Sequence, residues 1–412
     1  MRRAIVVGGS LGGLFAGCNL LRAGWDVTIV ERTPGRLAGR GAGLGVHAPM
    51  VQTLIAAGCT VDTTLGVPIP GRVCLARDGS DLARIPMPQF GISWGKLYSL
   101  LSDVFPETRI RRGAGFAAVE QDADKVVARF DDGSSLEADV LVGADGLRST
   151  VRRQYLPDVG LVYAGYIAWR GLTEEAAIAP EAHAQLFHLF AFAIPEGEHI
   201  LGYPVPGAND DVRPGHRRYN FVWYRPVDLE HGLRDMHTDA EGRHYPDGIP
   251  PQLVRREVIE RMLRDADALL PPSYVDVIRA CEMPLFQPIG DLESPQIAFG
   301  RVAILGDAAF TARPHVAQGA IKAGFDAMEL AAALSEEPTV EEALVRYDAL
   351  RRPAGEAVVA ESRRLGAYLE GRLGPIQRDP ELVIRENGGV NPAEAKADGG
   401  VMMGLLRDLG YA

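Results

Sequence analysis

The stretch between Ala4 and Glu31 restricts the chain to a narrow set of folds. Residues 4–7 are an uninterrupted apolar run, residues 8–13 read GGSLGG, a helix extends to about Ala23, and a second apolar run at 27–30 ends on Glu31. Short apolar runs alternating with a helix are the pattern of strands buried on both faces of a parallel sheet. Gly8 permits the tight turn after the first strand, and Gly13 lets the helix sit close on it. Glu31 lies at about the 20-residue offset from which a carboxylate reaches ribose hydroxyls. The unit therefore predicts nucleotide binding by Gly8, Ser10, Gly13 and Glu31, with Leu11 and Arg32 beside them. Ser10 replaces the usual middle glycine, and a serine is small enough to let backbone approach a pyrophosphate.

Two later stretches also run a strand into a carboxylate. In VLVGADGLRSTVR, residues 140–152, Asp145 precedes Arg148, Ser149 and Arg152 at the opening of a helix. In residues 301–334 the apolar run 302–305 ends at Gly306 and Asp307. Ligands collect at such strand ends in open α/β sheets, and a carboxylate there accepts hydrogen bonds from sugar or sugar-alcohol hydroxyls. The loop 311–319 then enters a helix in which Ala320, Ile321, Gly324, Phe325, Met328 and Ala331 share an apolar face. Its first turn holds no acidic residue, so the amides of 318–321 suit an anion or a developing negative charge. Taken alone, either stretch reads equally as an ordinary strand, loop and helix. Residues 37–46, LAGRGAGLGV, are too glycine-rich for a helix or a central strand. They form a surface loop, or they let backbone approach a flat ligand while Arg40 reaches toward it.

A chain of 412 residues is long enough for two subdomains that share one site. The net charge of -11 argues against tracking nucleic acid or an anionic membrane. Cys18, Cys59, Cys74 and Cys281 show no CxxC pair, which predicts free thiols, a reducing cytoplasmic setting and no zinc. Residues 4–21 carry no charge, yet five glycines there argue against a spanning helix.

Further along, residues 49–57 read as a helix, and 73–85 as a hairpin turning at Asp78-Gly79. Another helix begins at 93–101, and a second hairpin turns around Asp131-Asp132-Gly133. From 163 to 283 the texture becomes strands of period two. In 219–224 one face carries Tyr219, Phe221 and Trp223, and the other Asn220, Val222 and Tyr224. His183, His188, His199, His216, His231, His237 and His244 lack metal-ligand spacing, and surface or satisfied structural roles are expected. Residues 341–371 form an Arg-rich helix with Leu344, Tyr347 and Leu350 on one side, and 388–404 a glycine-rich tail.

Together, GGSLGG with Glu31, GADGLRSTVR and VAILGDAAF resemble the single-component flavoprotein aromatic hydroxylases, FAD-dependent monooxygenases with the p-hydroxybenzoate hydroxylase fold. Within that family AGYIAWRG, YPVPG, FVWY and ARPHVAQGAIKA resemble the dihydroxypyridine hydroxylases. The likeness spans about residues 1–335, with Ile321 where many members place Asn. It implies an α/β architecture: a Rossmann-like FAD-binding domain (1–75, 95–162 and 284–340), a mixed β-sheet substrate domain (76–94 and 163–283), and a C-terminal helical segment and tail (341–412). It implies FAD held by Gly8, Ser10, Gly13 and Glu31 at the adenosine end and by Asp307 near the ribityl chain. Arg40 and the backbone of Pro314, Gln318, Gly319 and Ala320 would lie about the flavin ring. NAD(P)H and O2 would be co-substrates, the flavin hydroperoxide the hydroxylating species, and a small electron-rich aromatic ring the substrate. Of the side chains facing it, His315 is the first candidate base, with an alternative role in loop packing, and His47 a further one. Tyr203 and Tyr224 are candidates for positioning. A homodimer is one expected assembly. A flavin dehydrogenase or reductase on the same fold, and a flavin-binding protein without turnover, are the alternatives.

The adenosine-facing elements make a first expectation testable. The purified protein should retain FAD in preference to FMN, and Glu31→Ala should weaken that retention. Equal affinity for both flavins in equilibrium dialysis would contradict it.

Overall fold

The computed structural model describes residues 1–37, 43–370, 378–387 and 400–410, so Arg40 and most of the glycine-rich tail lie outside it. In a six-stranded sheet, Arg3–Val7 is flanked by Asp26–Glu31 and Val140–Gly143, and Val302–Ile304 lies beyond the latter. These pairings are all parallel, so the three carboxylate-bearing strand ends stand on one edge. The strands are buried on both faces, which is why the sequence shows apolar runs and not alternation. Helix Leu11–Arg22 lies so close to the first turn that a β-carbon on Gly13 would fall 1.8 Å from the Gly8 carbonyl oxygen. Helix Gly319–Glu336 packs against it.

A second, nine-stranded sheet runs in the order Phe310–Thr311, Leu285–Glu293, Val162–Glu174, Arg218–Pro226, His199–Val205, Leu189–Ala193, Val67–Leu75, Asp81–Ser93 and Gly43–Val46. It is mixed, since Leu189–Ala193 and Val67–Leu75 are parallel. Three of its strands, Gly43–Val46, Val67–Leu75 and Asp81–Ser93, thus come from the chain between the first two nucleotide motifs. The last two form the hairpin read at 73–85, with Gly79 in the left-handed region at φ 89°. The period-two alternation holds: Tyr219, Phe221 and Trp223 enter one core, while Val222 and Tyr224 enter another that includes Val316. A three-stranded sheet, Phe116–Gln121, Val126–Phe130 and Ser135–Ala138, holds the second hairpin. All four cysteines are free and buried. Among the described residues no helix is long and apolar enough to cross a membrane.

The helix expected at 341–371 is Val340–Leu369. Leu344 and Tyr347 are buried on it, but Leu350 is 48% exposed and leaves the expected stripe. At 3.6 residues per turn Leu350 sits about 120° from Leu344, whereas Arg351 completes the inward face. Arg351 Nε donates to Asp326 Oδ1 at 2.8 Å, and Asp326 Oδ2 accepts from the Gly306 amide at 3.0 Å. Lys322 Nζ lies 3.3 Å from the same Asp326 oxygen and donates to the Gly306 carbonyl at 2.8 Å. All three side chains are buried. This charge cluster clamps two helices onto the turn that carries Asp307.

Burial alone would raise the Asp326 carboxyl, but Lys322, Arg351 and the Gly306 amide hold it below the usual range. A depressed carboxyl stabilises the fold above the unfolded pKa of about 4 and loses that effect as pH falls through the folded value. Asp326→Ala removes the buried carboxylate that Lys322 and Arg351 share and should cost about 3–5 kcal/mol in urea unfolding at neutral pH. A loss under about 1 kcal/mol would show that the cluster is not a clamp.

Candidate cofactor and substrate site

A cavity of about 510 Å³ opens at the strand ends. Gly8, Ser10, Glu31, Arg32, Asp145 and Arg148 are on its wall. Gly8 has φ 106°, and a β-carbon there would meet the Ala144 carbonyl oxygen at 2.4 Å, so the first and second motifs touch through backbone. The first helix begins at Leu11 with Ser10 as its N-cap residue, no side-chain cap and no acid in its first turn. Its amide end therefore presents positive dipole to a phosphate. Glu31 accepts from the amides of Gly9 and Thr33, both at 2.8 Å, which leaves carboxylate lone pairs for hydroxyl donors. A glycine cradle, an uncapped helix end and an acceptor carboxylate on one cavity fit the adenosine diphosphate half of a flavin dinucleotide.

Asp145 reaches the same wall but also serves its own chain. It accepts from Ser149 Oγ at 2.5 Å and from the Thr150 amide at 2.7 Å, capping helix Thr150–Tyr155. Burial raises its carboxyl. From this helix the buried Arg152 donates to the Ala308 carbonyl at 3.0 Å, which fixes the second motif to the third. Asp307 stands in that third turn with its side chain open to solvent. Close protein around it still raises its carboxyl by desolvation, opposed by Lys322 and reinforced by Asp326. Gly319 and Ala320 open the helix Gly319–Glu336 behind a buried Gln318, again with no acid in the first turn. Before it, Pro314–Val316 forms a tight turn and Ala317 is left-handed at φ 51°. A non-glycine residue held there is backbone strain of the kind found where a loop is shaped around a ligand.

A second cavity, about 90 Å³, lies between this loop and the nine-stranded sheet. Its wall includes Gly45, His47, Arg72, Arg170, Tyr203, Tyr224, Pro314 and Ala317. Tyr203 stacks on Phe190 with ring centroids 4.4 Å apart. Burial pushes the Tyr224 phenol up to about 12 and raises Tyr203, so both remain protonated donors at neutral pH. His47 is brought down to about 3 by burial and by Arg72, and is neutral.

His315, expected to face the substrate, does not line this cavity. It is 1% exposed, its Nε2 lies 2.7 Å from the Tyr166 hydroxyl, and its ring packs 4.6 Å from that of Tyr224. The tight turn rotates the imidazole inward, where Glu370 is 3.7 Å away. His199 also departs from its expected surface or satisfied role: it is fully buried, neither ring nitrogen has a hydrogen-bond partner among the described residues, and its ring stacks on Tyr224 at 4.5 Å. Burial holds it well below the usual range, hence neutral. Arg72 and Arg170 were not singled out in the sequence. Their signal was a lone cation inside an apolar strand run, PGRVCLA and IAWRGL.

Residues 163–291, most of the second sheet, match the FAD binding domain-like family. The chain is 29% identical over 369 residues to 2,6-dihydroxypyridine 3-monooxygenase of Paenarthrobacter nicotinovorans, covering 89% of this chain and 91% of that one. It is 29% identical over 405 residues to 3-amino-4-hydroxybenzoate 2-monooxygenase of Streptomyces cremeus, covering 93% and 91%. The solved structure of 2,6-dihydroxypyridine-3-hydroxylase from Arthrobacter nicotinovorans superposes with a TM-score of 0.83 at 28% identity, over 90% of this chain and 93% of that one. The strand-end cradle, the second sheet over it and these likenesses along nine-tenths of the sequence point the same way: the chain is similar to the FAD-dependent monooxygenases and shares their α/β fold.

Proposed function

We propose that the protein hydroxylates a single electron-rich ring, a hydroxylated aromatic or nitrogen heteroaromatic of the dihydroxypyridine type. One atom of O2 enters the product and the other leaves as water, with two electrons from NAD(P)H. The carrying observation is the 90 Å³ cavity, walled by the flavin-side loop on one side and by tyrosines and arginines of the sheet on the other. Its volume is on the order of six water-sized positions, the scale of one six-membered ring. The likeness to the dihydroxypyridine and aminohydroxybenzoate enzymes supports the same substrate class.

Bound FAD supplies the redox chemistry and the activated oxygen. Gly8, Ser10, Leu11, Gly13, Glu31 and Arg32 would hold its adenosine diphosphate half, with Asp145 at the adjoining strand end and Asp307 toward the sugar alcohol. Pro314, Gln318, Gly319 and Ala320 would border the ring, and the helix end there would stabilise negative charge without a lysine. Tyr203 and Tyr224, kept protonated by burial, would donate hydrogen bonds to substrate oxygens and fix which ring carbon faces the oxygen donor. His315 would act as a positioning residue, seating Tyr166 and Tyr224 from behind. Free thiols support a cytoplasmic setting, and a homodimer is the proposed assembly, to be checked by sedimentation.

Under labelled dioxygen with a panel of hydroxypyridines and phenols, the product should gain one labelled oxygen in step with NAD(P)H consumption. Substrate oxidised without label would mean a dehydrogenase. Asp307→Asn should lower bound FAD. It should also raise the melting temperature of the FAD-free protein at pH 7, because a raised carboxyl pKa removes stability as pH climbs through it, and the difference should vanish below about pH 4. Unchanged FAD content would reduce Asp307 to a turn residue. His315→Gln should keep FAD and its reduction while lowering coupled hydroxylation up to about 10²-fold, the cost of roughly 1 Å of misplacement. Substrate affinity should hold, and the pH profile should not move; a shifted profile would make His315 the base.

A further inference from the structure

The nine-stranded sheet bounds another cavity on its opposite face, away from the loop 311–319. This one is about 300 Å³ and lies between the sheet and helix Arg256–Leu269. Its wall runs entirely between residues 167 and 265, all of them described. Strands Val162–Glu174 and Arg218–Pro226 pair with Trp169 opposite Trp223 and Ala168 opposite Tyr224. Successive side chains of a strand take opposite faces. Arg170 and Tyr224 therefore reach the 90 Å³ cavity while Ile167, Trp169 and Arg225 reach the larger one, and the two stand back to back on the same strands.

The floor is apolar and pliant. Ile167, Trp169, Met236 and Met262 belong to the core under this face, and methionine adapts to occupants of different shape. Part of the rim is a π-helical turn, Leu229–Leu233, a rare conformation that recurs at functional sites. Asp228 caps it, accepting from the His231 and Gly232 amides at 2.8 and 3.0 Å, which leaves carboxylate lone pairs unused.

The rim carries both signs of charge, Arg225 and Arg261 against Asp228, Asp235 and Asp265. Arg225 is the more enclosed of the two cations, with its side chain 19% exposed and its guanidinium 4.5 Å over the Trp223 ring. Its Nε donates to Glu198 Oε1 at 3.0 Å and its Nη1 to Asp265 Oδ2 at 2.6 Å. Those bonds use two of its five N–H groups, and among the described residues Nη2 has no acceptor. Arg261 Nη2 is 3.5 Å from Asp235 Oδ2, a loose contact that a ligand can replace.

This wall selects by exclusion. A phosphate or a dicarboxylate would meet three carboxylates, and a diamine two guanidiniums. A wholly apolar molecule would strip water from five charged groups and return no hydrogen bond. One charge of each sign on an apolar body answers both the rim and the floor. We propose that the cavity is a second ligand site, distinct from the smaller one, for a small zwitterion with the chemistry of an apolar α-amino acid. The carboxylate sits on Arg225 and Arg261, the ammonium on Asp228 and Asp235, and the side chain on the floor.

Isothermal titration of the FAD-loaded protein tests this without turnover. The probes are L-leucine, L-methionine and L-phenylalanine, each against its N-acetyl form, which lacks the ammonium, and its amide, which lacks the carboxylate. Glycine serves as the zwitterion without an apolar body. At least one of the three should bind with one equivalent, at least about tenfold tighter than its N-acetyl form, its amide and glycine. Asp235→Asn and Arg261→Gln, at half-exposed side chains, should keep bound FAD and the melting transition while each weakens that amino acid at least about fivefold. The N-acetyl form should be indifferent to Asp235→Asn, and the amide to Arg261→Gln. No binding of any of the three up to about 10 mM, equal affinity for the N-acetyl form or the amide, or binding that survives both substitutions would overturn the proposal. The last result would put the amino acid elsewhere, the smaller cavity included, because neither residue stands on that wall.

Discussion

The constraint on which the nucleotide cradle depends is the approach of the first helix to the first turn, where a β-carbon on Gly13 would lie 1.8 Å from the Gly8 oxygen. Only glycine permits that approach, and it draws the helix end to the strand ends without an intervening side chain. The Gly8 amide in turn donates to the Val30 carbonyl at 2.8 Å, and the Ala144 amide to the Val7 carbonyl at 2.8 Å, so hydrogen bonding continues past the strands into the turns. The cradle is thus an extension of the sheet, and its geometry is as rigid as the sheet's.

The second sheet uses that rigidity. Its inner face meets the loop 311–319 at Val316 and Ala317, and that loop is anchored at both ends. Upstream, Gly306 is clamped by Asp326 and Lys322; downstream, the left-handed Ala317 turns the chain into the next helix. Gly366 of the long C-terminal helix closes the back, where a β-carbon would meet His315 at 2.9 Å and the Tyr166 hydroxyl at 3.1 Å. The Arg-rich helix Val340–Leu369 therefore supports both the Asp307 turn and the aromatic cluster.

What was legible in the sequence follows from the range of the interactions involved. The first strand, turn and helix, the two hairpins and the alternation at 219–224 are set by neighbours within a few residues, and the chain displays them directly. The gathering of three strand ends was legible because parallel sheets place ligands at one edge. The direction of the His315 side chain was not, since it depends on a turn that rotates the imidazole toward Tyr166, 149 positions away. Leu350 was misread because spacing by threes drifts around a helix, and only the packing of Arg351 onto Asp326 reveals the inward face. Arg72 and Arg170 sit on separate strands that meet only when the second sheet forms, so neither could be read as half of a pair.

The charge pattern joins these parts. The protein carries a net charge of -11, yet its interior presents positive ends to both cavities. Two helix termini lack acids in their first turns, and among the described residues Arg72 and Arg170 have no ion-paired carboxylate. Around the smaller cavity, His47 and His199 are held neutral by lowered values, and Tyr203 and Tyr224 by raised ones. Burial causes all four shifts, and the same low polarity strengthens the field of the charges that remain. A wall of neutral aromatics around fixed cations therefore concentrates the potential on the cavity, where an anion feels it, and an acidic exterior keeps that potential from recruiting polyanions at the surface.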